Sequence, residues 1–203
     1  MADMAGKVAL VTGSGSGIGR AVALEFATRG AAVMVADYNL EGAQETVRQL
    51  EAGGGKAAAV KVDVADEGSV RAMVKTTVET LGRIDFLVNN AGISAAGPNV
   101  PLHEVELKAF ERVLDVNVVG TFLGLKHAIP ELLKAGSAGV VNLASTMAER
   151  GSPGDPSYTT SKHAVRGLTK SAALTYAAQG VRVNCIGPGV VKTGMTEAIF
   201  EDE

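Results

Sequence analysis

The protein has 203 residues, of which 46% are hydrophobic and 20% are charged, and its formal net charge at pH 7 is −3. This size and composition are typical of one globular domain, residues 1–203, and the lysines and arginines are scattered rather than massed into the basic stripe of a nucleic-acid-binding protein. No apolar run reaches the roughly 18 residues that a membrane-spanning helix needs, so neither nucleic acid nor membrane is expected as a partner.

The cysteine and histidine content bears on disulfides, cellular location and metal binding. Cys185 is the only cysteine, which excludes an intrachain disulfide and favours a cytoplasmic location. The N-terminal residues lack the basic segment and long apolar core of a secretory signal. The three histidines do not have the spacing of metal ligands, so no metal site is predicted.

Short apolar runs rich in β-branched residues alternate with longer helical patterns along the chain. One helical pattern places Val70, Val74, Val78 and Leu81 on a single face. Strands with little polar alternation, separated by helices, predict a parallel sheet covered on both faces, which right-handed crossovers turn into a doubly wound α/β fold. The predicted strands are residues 8–11, 32–36, 57–62, 86–89, 139–143 and 181–186.

The turn after the first predicted strand reads TGSGSGIG, residues 12–19, and contains four glycines. Glycine weakens helices, but it lets a phosphate approach the free N–H groups at a helix N-terminus, so the turn predicts a pyrophosphate site. The common G-x-G-x-x-G fingerprint is absent, because its third glycine would fall on Ile18. A flexible loop without a ligand is the alternative. The predicted binding residues are Gly13, Ser16, Gly17, Ile18 and Gly19, with Thr12 tying the turn to neighbouring backbone.

Asp37 ends the second predicted strand, 24 residues after Gly13. An acidic residue at this place accepts hydrogen bonds from the adenosine ribose hydroxyls and repels a 2′-phosphate, which predicts NAD rather than NADP. Arg20 and Arg29 lie on the first helix and are expected to face elsewhere. The alternative is that Asp37 caps the next helix.

Tyr158 and Lys162 are four residues apart in a segment with helical character, so both side chains lie on one helix face. Taken alone, this pair is weak evidence for a catalytic site, and its default interpretation is two side chains on the protein surface. Ser145, however, ends an apolar run and therefore lies at the carboxyl edge of the sheet, where open α/β sheets bind ligands. Asn117 is a polar residue in an apolar helical stretch, which indicates a buried polar contact.

These side chains are suited to the oxidation of an alcohol. Tyr158 can remove the hydroxyl proton as a general base, and Ser145 can hydrogen-bond the substrate oxygen. A tyrosine pKa near 10 must fall by about 3 units for work near pH 7, which costs about 4 kcal/mol. An ammonium about 4 Å away supplies on the order of 4 kcal/mol, so Lys162 alone has the required magnitude.

Together these residues identify a resemblance to the short-chain dehydrogenase/reductase family over nearly all of the chain. The 13-residue interval from Ser145 to Tyr158 is the family's usual distance. The resemblance implies a Rossmann fold with strand order 3-2-1-4-5-6 and a homotetramer or homodimer. The motifs that carry it are TGSGSGIG at 12–19, Asp63-Val64, NNAG at 89–92, Asn117, Ser145, YTTSK at 158–162 and PGVVKT at 188–193.

The resemblance also implies roles for individual residues. Tyr158 would be the catalytic acid/base, Lys162 would lower its pKa and hold the nicotinamide ribose, and Asn117 would position a water of a proton relay. Asp63 and Val64 would contact the adenine. The stretch beneath the adenosine ribose would be Asn90, Ala91 and Gly92, and the residues around the nicotinamide would be Pro188, Gly189, Val191 and Thr193.

The chain departs from the family pattern at its C-terminal end, where TEAIFEDE stands at the usual start of a segment that covers the substrate. We therefore expect a missing seventh strand and one missing wall of the substrate pocket. The leading hypothesis is an NAD-dependent oxidoreductase of secondary alcohols and ketones. The alternatives are a 3-oxoacyl-[carrier protein] reductase, which would favour NADP, and a dinucleotide-binding protein without catalysis.

The identity of the small-molecule substrate is left open. The expected lining consists of residues 93–104, residues 146–157 and the chain beyond Pro188. Met147, Glu149 and Arg150 are candidate substrate neighbours, although Glu149 and Arg150 are better interpreted as a solvated rim. Sugars, polyols, cyclic alcohols, diols and steroids all fit this description.

Overall fold

The computed structural model describes residues 3–94 and 100–196, and its strands and helices alternate as the sequence predicts. A π-helical turn, Asp115–Val119, joins the helices Leu107–Leu114 and Gly120–Lys134. The strands are β1 Val8–Thr12, β2 Ala32–Asp37, β3 Ala57–Lys61, β4 Phe86–Asn89, β5 Ala138–Leu143 and β6 Val181–Ile186. The helices are α1 Gly17–Thr28, α2 Leu40–Ala52, α3 Glu67–Leu81, α4 Leu107–Leu114, α5 Gly120–Lys134 and α6 Pro156–Tyr176.

The six strands form one parallel sheet in the order β3-β2-β1-β4-β5-β6, which confirms the doubly wound Rossmann arrangement. Each strand end lies within one residue of its predicted position. The chain builds outward from β1 to β3 and then returns to the other side of β1 to place β4. The carboxyl ends of β1 and β4 therefore lead away to opposite faces and leave a crevice between them, where such sheets bind ligands.

Apolar side chains cover the sheet on both faces. One cluster, around Leu10 and Met34, receives the predicted face of α3, with Val70 and Val74 buried and Val78 and Leu81 packed against them. A second cluster packs α1 and α2 against the opposite face of β1 and β2. Strand β1 is buried along its whole length, as expected for the centre of a parallel sheet. In the described part of the chain, no helix has the length and apolar character that crossing a membrane requires.

A buried carboxylate, that of Asp85, links β1 to β4 at the amino edge of the sheet. Asp85, whose side chain is fully buried, accepts hydrogen bonds from Lys7 Nζ at 3.0 Å, from Arg83 Nε at 2.8 Å and from the backbone N–H of Val8 at 3.0 Å. Burial by itself would raise the pKa of this carboxyl, but the bonds from Lys7 and Arg83 outweigh it and hold the pKa below its ordinary value. Asp85 thus ties β1 to β4 at the edge opposite the crevice.

Substituting Asp85→Asn is expected to lower the free energy of unfolding by about 2 kcal/mol at neutral pH, because a buried acceptor of three donors loses its charge. A carboxyl whose pKa is lowered in the folded state stabilises the fold above its ordinary pKa and loses that contribution as the pH falls through the folded-state value. The difference between wild type and variant should therefore shrink in acid. Urea unfolding at neutral and acidic pH measures both effects. Equal stability at neutral pH would contradict this assignment.

Candidate active site

The glycine-rich turn brings the backbone of β1 and α1 unusually close to neighbouring chain. Gly13 and Gly17 have positive φ values of 63° and 51°. A Cβ on Gly13 would lie 2.7 Å from Cα of Ala91, and one on Gly19 would collide with the carbonyl oxygen of Gly13. Only glycine fits at Gly13 and Gly19 without movement of the backbone. The turn is thus a close-packed feature, which argues against a flexible loop.

Two side chains link this turn to the neighbouring strand β4: Thr12 at the end of β1 and Asn90 just after β4. Thr12 Oγ1 accepts hydrogen bonds from the N–H groups of Asn90 and Ala91 at 3.1 and 3.2 Å. Asn90 Nδ2 donates in return to the carbonyl oxygens of Thr12 and Gly13 at 3.0 and 2.9 Å. The predicted tie through Thr12 is confirmed, and the NNAG stretch is its partner.

Asp37 lies at the end of β2, beside the same turn. Its Oδ2 accepts from the N–H of Gly15 at 2.8 Å, and its Oδ1 accepts from the N–H of Asn39 at 2.9 Å. The cap of α2 is Asn39, whose side chain accepts from Gly42. Asp37 therefore does not cap the next helix, and its carboxylate is held at the crevice by two backbone donors.

The basic side chains of α1 and β3 are arranged in different ways. Arg20 turns back to the carbonyl oxygen of Gly15 and to Thr46 Oγ1, and it is absent from the cleft lining. Arg29 pairs with Glu25 on the same helix. Lys61 is the register partner of Asp37 on β3, and its ammonium lies 5.6 Å from the centre of the Tyr38 ring. The sequence argument overlooked Lys61, although parallel pairing of the predicted strands would have placed it beside Asp37.

A cleft of about 480 Å³ runs along the carboxyl edge of the sheet. Every predicted cofactor-binding residue except Gly19 lines it, and Gly19 lies behind the turn instead. Ile93, Gly194, Met195 and Thr196 also line it and fall within the predicted substrate lining. The lining residues that were not predicted from the sequence are Tyr38, Val62, Arg112, Val116, Leu143 and Ala144. Arg112 approaches Asp63 Oδ2 at 3.8 Å, and its place on α4 gave no local signal.

A second cavity of about 560 Å³ lies along α1, between Phe26 and residues 191–193. Its lining is almost entirely apolar, and it contains none of the predicted catalytic residues. Tyr158 and Lys162 line only the cleft at the carboxyl edge of the sheet.

Helix α6 carries Tyr158 and Lys162 into the cleft, as the four-residue spacing predicts. Lys162 is only 4% exposed, and its ammonium donates to the carbonyl oxygen of Leu143 at 2.8 Å. The same ammonium lies 5.3 Å from the centre of the Tyr158 ring. Burial lowers the pKa of Lys162 to about 8, so the side chain is still mainly protonated at pH 7.

Ser145 lies two residues after the end of β5, beside the Tyr158 hydroxyl. Burial raises the pKa of the Tyr158 hydroxyl above its ordinary value, a hydrogen bond with Ser145 acts in the opposite direction, and the charge of Asp155 raises the pKa further. A pKa lowered by Lys162 is the expectation from the sequence. In the structure the tyrosine is buried beside the carboxylate of Asp155, and the Lys162 ammonium is hydrogen-bonded to Leu143.

Asn117 lies in the π-helical turn, a local distortion that is frequent at functional sites. It is 1% exposed and makes the predicted buried polar contact. Its Oδ1 accepts from the N–H of Ile93 at 2.8 Å, while its Nδ2 donates to the carbonyl oxygen of Ile93 at 2.8 Å and to Ser161 Oγ at 2.9 Å. The amide therefore holds the backbone after β4, and its role toward a relay water stays a prediction.

The expected substrate loops are only partly described. Glu149 forms an ion pair with Arg166 at 3.1 Å, which favours the solvated-rim interpretation for this residue. Met147, Glu149 and Arg150 are absent from the cleft lining. The parts of the predicted lining at 95–99 and at 197–203 lie outside the described residues.

Comparison with known proteins bears on this geometry. A family model described as short chain dehydrogenase matches residues 7–203. The 2-(R)-hydroxypropyl-CoM dehydrogenase of Xanthobacter autotrophicus is 44% identical over 192 residues, which cover 94% of this chain and 77% of that protein. The cyclohexanol dehydrogenase of Acinetobacter sp. is 42% identical over 197 residues, which cover 97% of this chain and 78% of that protein. A similar solved structure is described as an NAD(P)-dependent gluconate 5-dehydrogenase from Beutenbergia cavernae with NADP bound at low occupancy. It matches with a TM-score of 0.91 and 38% identity, and the match covers 98% of this chain and 78% of that one.

Proposed function

We propose that this chain, which belongs to the short-chain dehydrogenase family, oxidises a secondary alcohol with NAD or reduces the matching ketone. Membership of that family makes it an oxidoreductase of alcohols and ketones. One observation carries the finer proposal: Tyr158 and Lys162 stand in the same cleft as the predicted dinucleotide-binding residues. Relatives named for cyclohexanol and for a cyclohexadiene diol support cyclic secondary alcohols as the first substrates to test.

The residues around the turn fit a dinucleotide. The side chain of Ser16, the N-cap residue of α1, makes no cap bond to the first N–H groups of the helix, and Ser16, Gly17 and Ile18 line the cleft. The positive end of the helix dipole therefore lies at the cleft. Gly13 and Gly17 keep side chains away from this point. A pyrophosphate would accept those N–H donors. Asp37 would accept from the ribose hydroxyls, Asp63 and Val64 would hold the adenine, and Thr193 would bind the nicotinamide carboxamide.

The chain's own side chains supply the proton chemistry. When bound, the nicotinamide would supply the two-electron step by accepting a hydride from the alcohol carbon or returning it to the ketone. Ser145 and Tyr158 would both hydrogen-bond the substrate oxygen, and Tyr158 would take the hydroxyl proton as the alcohol is oxidised. Lys162, buried and mainly protonated, would stabilise the resulting phenolate. In the reductive direction, Tyr158 would donate the same proton.

Turnover of alcohols with each cofactor tests this proposal. The purified protein is incubated with NAD or NADP and a panel of cyclic and acyclic secondary alcohols, sugars and steroids, and reduced nicotinamide is followed by absorbance. We expect turnover of at least one alcohol, with NAD preferred. Cofactor binding without turnover of any alcohol would favour the non-catalytic alternative. A preference for NADP would overturn the role of Asp37 and favour a reductase of 3-oxoacyl groups.

Replacing Asp37 with Asn is expected to narrow the preference for NADH over NADPH by about tenfold, because the neutral side chain no longer repels a 2′-phosphate and binds the ribose hydroxyls more weakly. Fluorescence titration with each reduced cofactor measures the two dissociation constants. Glu51→Gln, which removes the same charge from an exposed position on α2, should leave both constants unchanged. An unaltered preference in Asp37→Asn would show that another group selects the cofactor.

A further inference from the structure

Both backbone polar groups of Tyr158 are held by side chains of α6 and its cap. The N–H of Tyr158 donates to Asp155 Oδ1 at 2.9 Å, and its carbonyl oxygen accepts from Ser161 Oγ at 2.7 Å. Ser161 is fully buried, and Asp155 is the N-cap residue of α6. The backbone at the centre of the proposed chemistry is thus fixed from two sides.

The same two side chains are also linked to the segment that follows β4, Asp155 directly and Ser161 through Asn117. Asp155 Oδ2 accepts from Ser94 Oγ at 2.5 Å. Ser161 Oγ accepts from Nδ2 of Asn117, which is paired with both backbone groups of Ile93. The hydrogen bonds therefore close into a ring that passes from residues 93–94 through Asp155, Tyr158, Ser161 and Asn117 and returns to Ile93.

We propose that Asp155 and Ser161 are positioning residues that hold Tyr158 in register with the cofactor cleft through this ring. The inference rests on the proposed role of Tyr158 as the general base. Residues 90–93 form part of the cleft, whereas Tyr158 lies on a helix 65 positions after Ile93 in the chain. A hydrogen-bonded link between the two elements fixes the distance that proton transfer requires, and a displacement of about 1 Å costs up to about 100-fold in rate.

Asp155 also places a negative charge beside the tyrosine. The charged groups that share the cleft with Tyr158 in the described residues are Lys162 on α6, Arg112 on α4, Asp37 at the end of β2 and Asp63 after β3. The carboxylate of Asp155 raises the pKa of Tyr158. Asp155→Asn keeps an oxygen for the cap and a polar group for Ser94 but removes this charge, so it separates positioning from electrostatics.

The test compares four variants in the full chain: Asp155→Ala, Ser161→Ala, Asp155→Asn and, as a control, Thr160→Ala at an exposed position of the same helix. We expect kcat for alcohol oxidation to fall about tenfold in both ring-opening alanine variants, with the alcohol KM and the NADH dissociation constant changed less than about twofold. Asp155→Asn should recover most of kcat, and its pH profile should move to lower pH because the phenolate is no longer opposed by a carboxylate. Thr160→Ala should match wild type.

Two results would overturn the inference: wild-type kcat in both alanine variants, or a tenfold loss that persists undiminished when each is combined with Tyr158→Phe. Amide hydrogen exchange at Tyr158 gives a readout that does not depend on turnover. It should be faster in Asp155→Ala and unchanged in Thr160→Ala. If wild type oxidises no alcohol, the proposed function fails, and exchange still decides whether the ring holds Tyr158. Equal exchange in wild type and Asp155→Ala would refute the ring.

Discussion

Substituting Tyr158→Phe is expected to lower kcat at least about 100-fold while NADH still binds, because the ring is kept and the proton acceptor is lost. Tyr158 lines the cleft beside Ser145 and the Lys162 ammonium, and the proposed function makes its hydroxyl the group that exchanges a proton with the substrate. Single-turnover kinetics with the alcohol found by the substrate panel measures the loss.

A matched control exists on the same helix. Tyr176 packs against the core cluster around Leu10 and Met34 and is not part of the cleft lining, so Tyr176→Phe should leave kcat unchanged. The pH profile of kcat tests the direction of the Tyr158 pKa shift. Because the base must be deprotonated and burial raises its pKa, alcohol oxidation by wild type should accelerate as the pH rises toward alkaline values. Near-normal turnover in Tyr158→Phe would remove this residue from the mechanism.

Replacing Gly19 with Ala is expected to weaken NADH binding at least about tenfold and to lower the free energy of unfolding by about 1–3 kcal/mol, as overpacking does. Helix propensity alone predicts the opposite, a gain of about 1 kcal/mol for Gly→Ala in a helix interior. The clash decides the sign, since the new Cβ would collide with the carbonyl oxygen of Gly13 and approach Asn90 Nδ2 at 2.5 Å. These two atoms form the hydrogen bond that braces the turn beneath the proposed pyrophosphate site.

Gly167 is the control for that experiment. It lies inside α6, and a Cβ there would meet open space, so Gly167→Ala should raise the free energy of unfolding by about 0.5–1 kcal/mol and leave NADH binding unchanged. Urea unfolding and NADH fluorescence titration on the two variants give opposite signs if close packing governs Gly19. Stabilisation of both variants would refute the tight approach of α1 to the turn.

The elements of this fold could be predicted because their signals are local. An uninterrupted apolar run such as residues 8–11 predicts a strand buried on both faces, and the valines of α3 repeat at the helical period. The Tyr158–Lys162 pair follows from the same period. The turn at 12–19 was recognised because glycine at this density has few structural uses. The order of the strands came from the family resemblance, since no local pattern specifies which strands become neighbours.

The details of the site depend on residues far apart in the chain, and only the tertiary structure decided them. The structure separated the role of Asp37 from that of a helix cap, because the N–H of Gly15 meets its carboxylate across 22 positions. It reversed the expected direction of the Tyr158 pKa, since desolvation depends on every element that packs around the hydroxyl. It also brought Asp155 to Ser94 and Asn117 to Ser161. The sequence by itself determined which segments fold and where their chemistry lies, because periodicity and turn preferences act within a few residues. Burial, charge and hydrogen-bond partners were settled only when those segments packed.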